Sequence, residues 1–160
     1  MNNALLVSTF AAIFLLQGCA RSQEAFLSIQ TCVVDQNGLD ELARVMRDIA
    51  HSERLQFIDN SAAMRESLKA TAADRHAGIV IDHAVDLHIE GKGGMGVTAS
   101  NLSLPSYQVA LGFTEGSEPN KAHRLAEQLT QELKQRWNVQ KVARGKGVFP
   151  MKSCGFSNQD

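Results

Sequence analysis

Asp82, Asp86, His88 and Glu90 share one parity along a segment in which Ile79, Ile81, Val85, Leu87 and Ile89 fill the other. That alternation reads as a half-buried strand, with one face in a core and one in water. Neighbours on one strand face stand about 7 Å apart. Carboxylates beside an imidazole are what a divalent cation or a general acid–base step requires. The same residues also make an ordinary wet sheet surface, open to docking by another protein. Docking is the expectation, and no catalytic or metal-ligating residue is assigned.

The other motifs are weaker. Gly91-Lys92-Gly93-Gly94-Met95-Gly96 spells G-x-G-x-x-G. A dinucleotide loop must open a helix whose N-terminus meets the pyrophosphate. Here Val97-Thr98-Ala99-Ser100 reads as extended, so neither a nucleotide nor any other cofactor is expected. The expectation is a flexible hairpin loop with Lys92 and Met95 at its tip, placed to grip a partner. His83 interrupts the apolar face and reads as a hydrogen-bonded core or edge histidine. His51, His76 and His123 fall on helices or at their ends. No G-x-S-x-G is present, so no Ser/His/Asp set is read. Lys141, Arg144, Lys146 and Lys152 make the C-terminal part basic, as ordinary surface or as a patch facing anionic lipid head groups.

Charge is missing from the N-terminus. Residues 1–18 hold no Lys, Arg, Asp or Glu. Ala4–Leu16 is apolar except for Ser8 and Thr9. It falls short of the roughly 20 residues that span a bilayer and has the length of a secretory h-region. Leu16-Gln17-Gly18-Cys19 follows and resembles the lipobox of bacterial lipoproteins: Leu at −3, a small residue at −1, then Cys. Gln17 departs from the small residue usual at its place, and Met1-Asn2-Asn3 carries no Lys or Arg. The resemblance covers about the first 20 residues and none of the mature domain. It implies cleavage after Gly18 and a diacylglycerol on Cys19. Ala20 stands where an Asp often signals inner-membrane retention, so the resemblance implies the periplasmic face of the outer membrane.

Of the three cysteines, acylation consumes Cys19. In an oxidising envelope the remaining pair, Cys32 and Cys154, reads as a disulfide. Neither has a second Cys or His at C-x-x-C-like spacing, which argues against a metal pair.

These groups need a scaffold. The chain has 160 residues, net charge −1, 44% hydrophobic and 21% charged residues. That is one globular domain, not a disordered, fibrous or basic nucleic-acid-binding chain. Strands are expected over Ala25–Val34, Leu55–Ile58, Ile79–Glu90, Tyr107–Phe113 and Val139–Ala143. A first helix follows Asn37 as its cap, with Leu39, Leu42, Ala43, Met46, Ile49 and Ala50 inward. Asp40/Arg44 and Arg44/Asp48 are its expected ion pairs. A weaker helix covers Ala62–Ala72. Another starts at Ser117, with Ala122, Leu125, Ala126, Leu129, Leu133 and Trp137 inward. Gly91–Asn101 is expected as a long hairpin link.

With the middle helix set aside, the fold class is α+β: a ferredoxin-like βαββαβ sandwich with two main helices on one face of an antiparallel sheet. The organisation is a signal peptide (1–18), a short lipidated tether (19–24), one domain (25–155) and a tail (156–160). In such a sheet the last strand lies antiparallel beside the first. Cys154 then reaches Cys32 only if the chain reverses at Arg144-Gly145-Lys146-Gly147 and Val148–Lys152 returns.

Two functions are expected from this. The first is a non-catalytic lipoprotein that binds another envelope protein, as an assembly accessory or an immunity-type inhibitor. The second is a small periplasmic metal-binding protein or hydrolase built on Asp82, Asp86, His88 and Glu90.

Overall fold

The computed structural model describes residues 24–71, 81–151 and Cys154. The expected signal segment and lipidation site Cys19, together with His76, Ile79, Lys152 and the tail, lie outside the described residues.

The elements are β1 (Leu27–Cys32), α1 (Gln36–Ser52), β2 (Gln56–Asp59), α2 (Ser61–Thr71), β3 (Asp86–Glu90), β4 (Gly96–Ser100), β5 (Gln108–Thr114), α3 (Pro119–Lys134) and β6 (Asn138–Val142). The six strands form one antiparallel sheet in the order β2-β3-β4-β5-β1-β6. The class is α+β, as expected, and the last strand does lie antiparallel beside the first. The order departs from the simple four-stranded βαββαβ pattern. The crossover through α3 spans one strand, β1, whereas the crossover through α1 spans β5, β4 and β3.

One additional strand comes from the expected long link. Gly96–Ser100 pairs β3 on one side and β5 on the other. Only Val97 and Ala99 are apolar along it, so its pattern is too short to read as a strand alone.

The apolar stripes of both large helices meet one sheet face. Leu39, Leu42, Met46 and Ile49 of α1 and Leu125, Leu129 and Leu133 of α3 join Ile29, Leu87, Ile89, Val97, Val109, Leu111 and Phe113 in one core. Each fully buried leucine contributes about 1.5–3 kcal/mol. The α1 cap is Asp35 rather than Asn37. Its backbone is extended, and its carboxylate accepts from the Gly38 amide at 2.9 Å. Arg44 pairs with Glu41, at 3.5 Å, rather than with Asp40 or Asp48.

Two loops depart from expectation. The strand at β3 begins at Asp86, because Ile81–His83 coils into a single 3₁₀ turn. The β3–β4 connection is a tight, packed hairpin. The Gly91 amide donates to the Met95 carbonyl at 2.8 Å, and the Thr114 hydroxyl donates to the Gly94 carbonyl at 2.8 Å. Met95 is 1% exposed, so it is a core residue and not a tip residue. Two of the nearby glycines make room for it. A Cβ on Gly91 would run into the Met95 methyl group. A Cβ on Gly116, whose φ is +56°, would meet the Met95 amide nitrogen.

The expected reversal is present. Gly145 sits at φ +72°, and the Lys146 amide donates to the Ala143 carbonyl at 3.0 Å. The chain then crosses back as a strap over the face opposite α1 and α3. Gln30 Nε2 donates to the Phe149 carbonyl at 2.9 Å. The Met151 amide donates to Gln108 Oε1 at 2.7 Å, and Gln108 Nε2 returns a bond to the Met151 carbonyl at 3.3 Å. Cys32 and Cys154 are disulfide-bonded, with Cα atoms 5.4 Å apart.

Candidate functional site

The strap divides the sheet face opposite α1 and α3. Over β1 and the start of β5 it buries Gln30, Cys32 and Gln108. Over β3 and β4 nothing among the described residues covers Thr98 or Glu90, which are exposed, while Asp86, His88 and Ser100 are half-buried. Alternation along two paired strands decides which side chains arrive there. His88 lies directly opposite Thr98 in the ladder, Asp86 opposite Ser100 and Glu90 opposite Gly96.

The central contact is between Asp86 and His88. His88 Nε2 donates to Asp86 Oδ1 at 2.9 Å. A carboxylate can only accept, so this bond holds the ring proton on Nε2. Nδ1 is left as the acceptor, and the Thr98 hydroxyl stands 3.5 Å from it. Asp86 is fixed from behind, because its amide donates to Ser61 Oγ at 3.1 Å and its carbonyl accepts from Asn60 at 2.9 Å. The result is a carboxylate, an imidazole and a hydroxyl in sequence across two strands. Acyl transfer also needs donors aimed at an oxyanion. β4 is paired along its whole length on both sides, which commits the amides around Thr98 to the sheet ladder.

The four expected residues do not stay together. Asp86, His88 and Glu90 share the face. Asp82 does not: it lies in the 3₁₀ turn, where Lys69 Nζ of α2 reaches its carboxylate at 3.0 Å. Among the described residues, no three His, Cys, Asp or Glu side chains converge on a cation position. Lys92 is exposed at the hairpin beside this face, and Met95 is beneath it.

The Lys69 hydrogen bond and charge hold the Asp82 carboxyl below the usual aspartate value of 3.8. Its folded value is depressed. Any stability it supplies is therefore present above 3.8 and lost as pH falls through the lowered value. The pair is exposed, so the effect is small and screened by salt. Lys69→Met is expected to return the Asp82 titration toward 3.8, read by carboxyl NMR. An unchanged midpoint would refute the assignment.

Sequence reasoning missed the residues that brace the site. Asn101 is fully buried. Its Oδ1 accepts from the Val85 amide at 2.9 Å, and its Nδ2 donates to the His83 and Ser106 carbonyls, both at 2.8 Å. The available signal was an Asn closing an extended run just before Leu-Ser-Leu-Pro, a turn-rich stretch. His83 is the hydrogen-bonded edge histidine expected, though in a turn rather than on a strand. Its Nδ1 donates to Gln36 Oε1 at 2.8 Å, and the Tyr107 hydroxyl faces Nε2 at 3.3 Å. At the far end of β1, Val34, Tyr107 and Trp137 line an apolar groove of about 380 Å³ beside the disulfide.

The chain matches no protein-family model and no curated protein sequence.

Proposed function

We propose that this chain is a lipid-anchored, non-catalytic envelope protein that docks another envelope protein on the β3–β4 half of its sheet. One observation carries the reading. Among the described residues, the strap covers one half of the sheet face opposite α1 and α3 and leaves Thr98 and Glu90 of the other half exposed, with His88 half-buried. The lipobox-like residues supply the location, the periplasmic face of the outer membrane. The identity of the partner separates an assembly accessory from an immunity-type inhibitor.

The test is in-cell crosslinking of the tagged full chain, with mass spectrometry of what is captured. A single near-stoichiometric protein is expected. Thr98→Arg should cut its capture at least tenfold. It adds bulk to an exposed strand position, so stability should move by no more than about 0.5 kcal/mol. Full capture by Thr98→Arg would remove this face as the docking site.

The Asp86–His88 pair favours the second reading, a metal-binding protein or hydrolase. Stoichiometric zinc or calcium in the purified chain, lost in Asp86→Ala and His88→Ala, would replace docking with that reading.

A further inference from the structure

Glu24 stands three residues before β1, and its neighbours bear on which way a lipid-anchored domain would face. Glu24 Oε1 lies 3.5 Å from Arg144 Nε, at the turn where β6 gives way to the strap. Glu24, Leu27, Lys141, Arg144 and Lys146 line one groove of about 710 Å³. Lys134 of α3 shares the adjoining groove with Lys141, together with Glu127. On the other side Lys146 shares a groove with Phe149, which is 70% exposed. Glu24 therefore sits at a basic corner with a large exposed aromatic beside it.

The tether length makes this corner matter. The five residues from Ala20 to Glu24 reach at most about 18 Å beyond Cys19, at roughly 3.3–3.6 Å each. Lys141, Arg144 and Lys146 carry three positive charges, of which Glu24 offsets one. Lysine and arginine near an anionic bilayer are attracted to it over about a Debye length. An aromatic ring beside them suits the headgroup level.

We infer that Lys141, Arg144, Lys146 and Phe149 form a membrane-facing corner that seats on anionic lipid head groups and fixes the orientation of the tethered domain. The opposite end of β1, with the groove of Val34, Tyr107 and Trp137, then points away from the bilayer. This inference rests on the lipid anchor of the proposed function.

The test uses the full chain purified from membranes and reconstituted in two kinds of vesicle. One holds only phosphatidylcholine, and the other contains phosphatidylglycerol as well. An amine-reactive, membrane-impermeant reagent is added, and labelled lysines are mapped by mass spectrometry. Lys141 and Lys146 should label at least threefold more slowly on the anionic vesicles. High salt should remove the difference, and Lys69 should label equally on both. Flotation with the vesicles but equal labelling of Lys141 and Lys146 would overturn the orientation alone. A chain that lacks a diacylglyceryl mass and fails to float would overturn the anchor, and the orientation with it.

Discussion

Cys32→Ala/Cys154→Ala is expected to lose about 4 kcal/mol of stability and to melt some 10–15 °C lower. The bond closes a loop of 122 residues, which contains nearly the whole domain. Constraint of so long a loop removes much of the entropy of the unfolded chain. The folded state loses something local as well. Cys154 ends the strap, and without it the only remaining ties named above are the backbone bonds to Gln30 and Gln108. The Met151 amide should then exchange with solvent at least tenfold faster than in the parent, under conditions where the core of α1 stays protected. A melting temperature within two or three degrees of the parent would show that the disulfide does not stabilise the domain. Slow exchange at Met151 would show that the glutamines hold the strap by themselves.

Asn101→Ala is expected to cost about 4 kcal/mol. The substitution removes one acceptor and two donors from a fully buried place. It strands the buried Val85 amide and the half-buried carbonyls of His83 and Ser106, and an unpaired buried group costs about 1–3 kcal/mol. Urea unfolding should show a lower midpoint with an unchanged slope, the mark of lost stability without a change in exposed area. Asn101→Asp should do no better, because it keeps the acceptor but turns a carboxylate toward two carbonyl oxygens. A loss below 1 kcal/mol for the alanine variant would mean that the three bonds are replaceable by water.

Long apolar stripes were legible in the sequence. The 3.6-residue period of α1 and α3 and the alternation in β5 survive in the structure because one face of each meets one core. The reversal at Gly145 was legible too, because two cysteines had to meet. What was not legible depended on partners distant in sequence. β4 is a strand because β3 and β5 lie on either side of it. Asp82 is apart from the candidate site because Ile81–His83 turns, which brings its carboxylate to Lys69 of α2. Met95 fits inside because Gly91 leaves room for its methyl group and Gly116, from a different loop, lets its backbone amide come close. Of the candidate site, the parity of Asp86, His88 and Glu90 was readable, but the boundary set by the strap was not.

The position of β1 has a consequence in time. Gln30 meets Gln108 across 78 residues of chain, and Thr31 meets Asn138 across 107. Both ladder neighbours of the first strand are made late, β5 about two thirds of the way along the chain and β6 nearer its end. A chain growing from its N-terminus therefore carries β1 with both edges unpaired until β5 and β6 exist. Distant pairings of this kind fold on the scale of milliseconds to seconds rather than microseconds. Through that interval Leu27-Ser28-Ile29-Gln30-Thr31-Cys32 is an open β edge, prone to pair with whatever strand it meets. Slow refolding and concentration-dependent aggregation of the early chain follow from the same strand order that later seals β1 between two neighbours.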